Sequence, residues 1–191
     1  MTKGIIIKKL TLFTEVKEDS YEKVFIKQSQ RGNDDSFEKL MDIYEPYLYK
    51  MAFLYMKNEQ DALDIYQETA LKAYMNISQL RDYRSFKTWI TRILINNVYE
   101  KSKKSNRFEE QYLDENIADF SYSTIEERID LYDAIDLLDD KYRTPIILQY
   151  FYGLSIQQIS EITRTKKNTV KTNIRRAKKK IYDILMEEND E

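Results

Sequence analysis

The chain has 191 residues, of which 42% are hydrophobic, and its 31 basic and 33 acidic residues give a net charge of −2. That hydrophobic fraction suffices for packed cores and excludes wholesale disorder, while the length allows one ordinary domain or two small ones. Cysteine and histidine are absent, which excludes disulfides and thiol catalysis and removes the usual general base and the commonest metal ligand. Because only 3 glycines and 2 prolines occur, the composition favours helices over a sheet. We therefore expect an all-α protein that is not an enzyme and needs no metal or other cofactor.

The charges are segregated along the chain. Residues 81–107 carry 8 basic and 2 acidic side chains, residues 108–140 carry a net charge of −11, and residues 164–180 carry 9 basic and no acidic side chains. Two basic blocks separated by an acidic one predict two contacts with a polyanion, joined by a segment that the polyanion repels. The alternative interpretation is three solvated faces without a target.

Residues 1–19 match no clear period and are expected to form an N-terminal arm of unknown role. The apolar run at residues 5–7 is too short for a signal peptide. No stretch of 18 apolar residues exists that could cross a membrane. These features predict a cytoplasmic protein.

A first helical domain is expected over residues 20–105. A helix over residues 21–30 should stop at Gly32, which suits a left-handed C-terminal cap. Asp34 or Asp35 is expected to cap the next helix, in which Pro46 should cause a kink rather than an end. The apolar stripe of that helix has helical spacing and indicates a core face; it comprises Phe37, Leu40, Met41, Tyr44, Leu48, Met51, Ala52 and Tyr55.

A third helix is expected over residues 59–77, followed by a polar loop and a long helix over residues 86–103. In the third helix Asp64, Gln67 and Glu68 stand at i, i+3 and i+4, so they share one outward face. The residues expected to point inward from this helix are Ala62, Leu63, Tyr66, Ala70, Ala73 and Tyr74. Those expected to point inward from the long helix are Trp89, Ile90, Ile93, Leu94 and Val98.

A flexible acidic linker is expected over residues 106–123, where no helical stripe occurs, and a second helical domain over residues 124–186. An acidic tail follows at residues 187–191. The domain opens with a capping box at residues 124–127, and its first helix carries Ile125, Ile129, Tyr132, Ile135 and Leu138.

The rest of this domain has the pattern of a helix-turn-helix. A helix over residues 143–152 should end at Gly153, and a capping box at residues 155–158 opens a short helix that ends near Thr163. After a turn, Asn168 is expected to cap a strongly basic final helix. The residues expected to face inward from that helix are Val170, Ile174, Ala177, Ile181 and Leu185.

In a helix-turn-helix the second helix enters the major groove, where its early exposed residues meet base edges. Lys171, Thr172, Asn173 and Arg175 occupy those positions, and such side chains can distinguish bases by hydrogen bonding. The later basic residues, Arg176 and Lys178 to Lys180, are better placed for phosphates. The alternative is an exposed basic helix without a target.

Several motifs together resemble extracytoplasmic-function (ECF) sigma factors. Residues 153–163 (GLSIQQISEIT) and 169–177 (TVKTNIRRA) look like their region 4, while residues 61–69 (DALDIYQET) and 86–96 (FKTWITRILIN) look like their region 2. The similarity covers about residues 20–186.

This chain departs from the family pattern at three positions. Arg164 replaces the turn glycine, Asn168 replaces the glycine before Thr169, and Glu100 stands where an aspartate is usual after Asn96. Asn168 is a mild change because asparagine tolerates turn geometry, whereas Arg164 is expected to strain or lengthen the turn.

The resemblance implies a sigma factor that binds core RNA polymerase, recognises the −35 and −10 promoter elements and helps to melt DNA. Its implied partners are the β′ clamp helices and the β flap of the polymerase, promoter DNA and an anti-sigma factor. Residues implied to bind core polymerase are Asp64, Gln67 and Glu68. Residues implied to engage the −10 element are Arg81, Tyr83, Arg84, Phe86, Arg92, Asn96 and Lys101. Residues implied to engage the −35 element are Asn168, Lys171, Thr172, Asn173, Arg175, Arg176 and Lys179.

Three assignments stay open at this point. Trp89 is a candidate wedge for DNA, although its place in an apolar stripe favours a core role. An ordinary helix-turn-helix regulator would explain the C-terminal pattern but not the second basic block. A carboxylate-dependent enzyme using Asp61, Asp64 and Glu68 is disfavoured because no opposing ligand helix with a Glu-x-x-His pattern exists.

Overall fold

The computed structural model describes residues 19–105 and 125–187, and all regular structure within those ranges is helical. The chain divides into two units between Lys103 and Lys104. The predicted all-α fold with two helical domains is thereby confirmed. The predicted N-terminal arm up to residue 18, the linker over residues 106–123 and the tail from residue 188 lie outside the described residues.

Within residues 19–105 the first unit contains four α-helices. Two short 3₁₀ turns, Ile77–Gln79 and Tyr83–Ser85, lie in the segment expected to be a polar loop. The helices are α1 (Asp19–Ser29), α2 (Asp34–Met56), α3 (Glu59–Asn76) and α4 (Phe86–Ser105). Helix α2 packs against both α1 and α3. Its predicted stripe is buried throughout, and α2 continues past Pro46 as expected.

The start of α2 corrects one expectation. Asn33, rather than Asp34 or Asp35, is the N-cap, because its side-chain oxygen accepts a hydrogen bond of 2.8 Å from the Ser36 amide. Asp34 and Asp35 lie in the first turn, where carboxylates interact favourably with the helix dipole. The helix ends at Lys57, which adopts the left-handed conformation with φ 56°.

The buried face of α3 also differs from the prediction. Ile65 and Thr69 are buried along with the expected Ala62 and Ala73, whereas Leu63 is 39% exposed and Tyr74 is 47% exposed. Thr69 can be buried because its hydroxyl donates to the Ile65 carbonyl and accepts from Asn97 of α4, so its hydrogen-bonding groups are satisfied. The polar pairing across two helices therefore sets the rotation of α3.

The second unit contains α5 (Ile125–Asp136), α6 (Asp140–Ile146), α7 (Ile156–Thr163) and α8 (Lys167–Glu187). The predicted helix over residues 143–152 instead begins at Asp140 and continues after Ile146 as a π-helical turn over Ile147–Phe151. Proline within α6 removes one backbone donor from the helix ladder just before this turn. The core of the unit comprises Ala134, Ile135, Leu138, Ile146, Ile147, Leu148, Leu154, Ile159, Ile162, Val170, Ile174 and Ala177.

Helices α7 and α8 form the predicted helix-turn-helix. The capping box that opens α7 is present in full, with reciprocal hydrogen bonds between Ser155 and Gln158. Arg164 ends α7 in the left-handed conformation, with φ 52°, and its amide donates to the Ser160 carbonyl. Helix α8 begins at Lys167, so Asn168 lies in its first turn and is not the N-cap that the sequence predicts.

No helix within residues 19–105 or 125–187 is long and apolar enough to cross a membrane.

Candidate functional site

Helix α3 presents one continuous exposed face. Asp64, Gln67 and Glu68 are all exposed on it, as predicted, and the same face continues through Leu71 and Met75, which are 55% and 67% exposed. The first four of these residues line a shallow open hollow of about 410 Å³. We call the surface formed by Asp64, Gln67, Glu68, Leu71 and Met75 of α3 the docking face. It combines carboxylates, which attract cations, with apolar surface whose burial would favour association.

Two lysines form ion pairs that connect α3 to α4. Lys101 of α4 pairs with Asp61 at 2.5 Å and with Asp64 at 3.1 Å. Lys72 of α3 pairs with Glu68 at 3.3 Å and with Glu100 at 3.0 Å. The hydrogen bond and charge of Lys101 lower the pKa of Asp64. Partial burial lowers the pKa of Lys101, but its bonds to both carboxylates outweigh this and leave the pKa raised.

The sequence did not predict the buried polar cluster between α3 and α4. Asn97 of α4 is only 3% exposed; its oxygen accepts from the Lys72 ammonium at 2.6 Å and its amide donates to the Thr69 hydroxyl at 3.0 Å. Such a satisfied polar cluster specifies how two helices align. The available signal was the position of Asn97 three residues after Leu94, on the inward side of the long helix.

Most of the residues expected at the −10 element lie at the start of α4 and in the turn before it. Arg81 and Arg84 are exposed, and Arg84 pairs with Asp82 at 3.1 Å. Tyr83 is half-buried, with the ammonium of Lys23 lying 5.2 Å from its ring centroid. Lys23 belongs to α1, and its proximity to Tyr83 could not be foreseen from separation in the sequence.

Arg92 and Asn96 stand one helical turn apart on α4 and therefore share a face, with Asn96 exposed and Arg92 half-buried. Lys101 does not join them. It lies nine residues beyond Arg92, about half a turn around the helix axis, and its ammonium is held by α3 carboxylates. Lys101 therefore contacts the carboxylates of α3 on the side of α4 away from Arg92, and its contact with −10 DNA stays a prediction.

The burial of Phe86 corrects the expectation that its ring offers a surface to −10 DNA. Its side chain is 0% exposed and packs edge-on against Tyr44, with ring centroids 5.0 Å apart. A ring enclosed in the core offers no surface on which a base could stack. Trp89 is half-buried, with its ring centroid 5.7 Å from that of Phe86. Tyr83 and Trp89 are both half-buried, so neither is enclosed in the core as fully as Phe86.

Helix α8 presents the residues expected at the −35 element. Asn168, Lys171, Arg175 and Lys179 are exposed and follow one another at intervals of three or four, so they form one stripe. Arg176 is exposed beside that stripe, and Asn173 is half-buried. The Thr172 hydroxyl donates to the Asn168 carbonyl at 2.9 Å, which directs it to its own helix. We call the exposed stripe, with Arg176, the basic face of α8.

Comparison with protein families follows the same division into two units. Residues 40–108 match the family described as Sigma-70 region 2, and residues 128–181 match the family described as Sigma-70, region 4. The RNA polymerase sigma factor SigV of Bacillus subtilis is 35% identical over 144 residues, which cover 74% of this chain and 86% of that protein. The ECF RNA polymerase sigma factor SigW of the same organism is 32% identical over 178 residues, covering 84% of this chain and 94% of that protein. The chain therefore belongs to the ECF family of RNA polymerase sigma factors.

Solved structures share the fold. The sigma factor RpoE, in a co-crystal with the anti-sigma factor NepR from Bartonella quintana, has a TM-score of 0.68 at 22% identity, covering 78% of this chain and 96% of that one. CnrH, in complex with the cytosolic domain of CnrY, has a TM-score of 0.65 at 21% identity, covering 86% of this chain and 97% of that one.

Proposed function

We propose that this sigma factor binds the β′ clamp helices of core RNA polymerase through the docking face of α3, with Asp64, Gln67 and Glu68 as the polar contacts. Three observations support the assignment. The three side chains share one exposed face, apolar residues extend that face, and a shallow hollow lies between them. Carboxylates on a fixed helix accept charge-assisted hydrogen bonds from a partner's arginines, and exposed apolar neighbours add burial.

The promoter contacts divide between the two units. Region 2, over residues 20–105, engages the −10 element through Arg81, Tyr83, Arg84, Arg92 and Asn96. Region 4, over residues 124–186, places the basic face of α8 in the major groove of the −35 element and contacts the β flap. The segment over residues 106–123 links the two regions. Exposed arginine, lysine and asparagine on the second helix of a helix-turn-helix support direct reading of bases.

The protein acts by binding rather than by catalysis, and it works in the cytoplasm, where polymerase and promoter meet. Asp61, Asp64 and Glu68, the carboxylates that an enzyme hypothesis would need, form ion pairs with Lys101 and Lys72. An anti-sigma factor is a further partner. Support comes from the two structural neighbours, since RpoE is in complex with an anti-sigma factor and CnrH with the cytosolic domain of CnrY.

The test of the docking face is a titration of core polymerase with the N-terminally labelled full chain. Replacing Asp64, Gln67 and Glu68 together by alanine should weaken the affinity by about tenfold or more, since clustered interface contacts of this kind are together worth over 1 kcal/mol. The matched control replaces Glu38, Asp42 and Glu45, three exposed acidic residues on α2, and should retain affinity. Equal affinity of the two variants, with unchanged helicity, would contradict the assignment.

A further inference from the structure

Asp64 of the docking face is already occupied within the chain. One carboxylate oxygen accepts from the Gln60 amide at 3.3 Å, and the other accepts from the Lys101 ammonium at 3.1 Å. Both side chains of the ion pair remain accessible, at 30% for Lys101 and 51% for Asp64. The polar group that would meet a cationic partner is thus engaged by an internal cation.

A partner's arginine needs both oxygens of a carboxylate for a paired, fork-like contact. The approach of its guanidinium to Asp64 would place two cations beside one carboxylate, which like-charge repulsion disfavours. Lys101 has a second acceptor, Asp61, at 2.5 Å, so it can leave Asp64 without losing every partner. Exposed ion pairs contribute little to stability, so this exchange is easy.

We infer that Lys101 is an internal competitor at the docking face, whose bond to Asp64 must be exchanged for a cationic side chain of the polymerase and thereby lowers affinity for core. The inference rests on the proposed role of Asp64. Lys72 has a different role, because the buried Asn97 and the exposed Glu100 also bind its ammonium and fix it at the contact between α3 and α4. Lys101 thus lowers the affinity of the docking face for core polymerase, whereas Lys72 stabilises the packing of α3 against α4.

The sharpest test compares Lys101→Met with Lys103→Met in the same core-polymerase titration. Methionine keeps the length of the side chain and removes its charge, and Lys103 is an exposed lysine on the same helix. Lys101→Met should tighten binding by about two- to fivefold, the range expected when one exposed ion pair is no longer broken. Lys103→Met should not tighten it, which separates competition from a general loss of positive charge. Lys101→Arg, which keeps a cation beside Asp64, should not tighten binding.

Asp64→Asn separates failure of this inference from failure of the proposed docking face. In the Asp64→Asn background, Lys101→Met should no longer tighten binding. If Asp64→Asn weakens binding while Lys101→Met leaves it unchanged or weakens it, the docking face stands and the competitor role is overturned. If Asp64→Asn has no effect on binding, the role of Asp64 and the competitor role of Lys101 are both overturned, and the triple alanine variant decides the rest of the docking face. Thermal unfolding of each variant by circular dichroism verifies that the helices are intact, and Lys101→Gln replaces Lys101→Met if the latter does not fold.

Discussion

At the scale of single residues, Arg164 shows how the turn between α7 and α8 is made without glycine. Its φ of 52° lies in the left-handed region, where an L-residue with a β-carbon is disfavoured. The geometry persists because the amides of Arg164 and Thr165 both donate to the Ser160 carbonyl, which closes the end of α7. The arginine therefore carries backbone strain, as the sequence predicts for a turn without glycine.

Arg164→Gly should therefore stabilise the second unit by about 1 kcal/mol, because glycine adopts positive φ without steric cost. Native-state hydrogen exchange of the α7 and α8 amides measures this in the full chain. Arg175→Gly is the matched control: it removes the same side chain inside a helix and should destabilise by about 1 kcal/mol. If both substitutions destabilise, Arg164 is not strained.

At the scale of helices, the sequence predicts what a single helix determines by itself. The stripe of α2, the capping box of α7 and the basic face of α8 all follow from local spacing, and all are present. The predicted buried face of α3 was wrong because Thr69 and Asn97 form a hydrogen bond between two helices and can therefore be buried. A prediction from hydrophobic periodicity places such polar residues on the outside.

The same limit applies to the candidate site. Exposure of Asp64, Gln67 and Glu68 could be predicted from one helix, but burial of Phe86 and capture of Lys101 depend on neighbouring helices. Aromatic and basic residues next to a basic block resemble DNA contacts in the sequence. Only tertiary packing distinguishes a ring in the core, or a lysine held by carboxylates, from a free contact.

The link between α3 and α4 should make the stability of the first unit depend on pH. Lys101 lowers the pKa of Asp64 below its usual 3.8, so this stabilisation is present above pH 3.8 and is lost as the pH falls through the folded value. The pKa of Lys101 is raised above 10.5, so its contribution is present below pH 10.5 and is lost as the pH rises through the folded value.

Urea unfolding followed by the fluorescence of Trp89, the one tryptophan of the chain, measures the stability of this unit as a function of pH. Asp64→Asn should reduce the loss of stability on acidification below pH 3.8, because it removes a group that must be protonated. Asp42→Asn, at an exposed position on α2, is the control. If the free energy of unfolding falls equally below pH 3.8 in Asp64→Asn and in the unaltered chain, the Asp64–Lys101 pair does not stabilise the unit.

At the scale of the whole molecule, the two units carry different kinds of basic surface. In the second unit the basic face of α8 is a regular stripe on a helix-turn-helix, which suits a duplex groove. In the first unit the candidates combine a half-buried tyrosine, the exposed Arg81 and Arg84 and the exposed Asn96, which suits unstacked bases and their phosphates. Each unit has its own core, so a substitution in one surface should leave the other intact.

Substitutions on the two surfaces should therefore impair different steps of initiation. Arg175→Ala or Lys171→Ala should weaken duplex binding at the upstream element by about 1–3 kcal/mol if a base contact is lost, without preventing strand opening at low salt, where phosphate attraction is strongest. Asn96→Ala should give near-normal closed-complex binding with poor opening, because the exposed amide of Asn96 is the proposed contact with the melted strand. Band-shift affinity reports the first step and permanganate reactivity of unpaired thymines reports the second. Equal loss of both steps in every variant would exclude this division of labour between the two units.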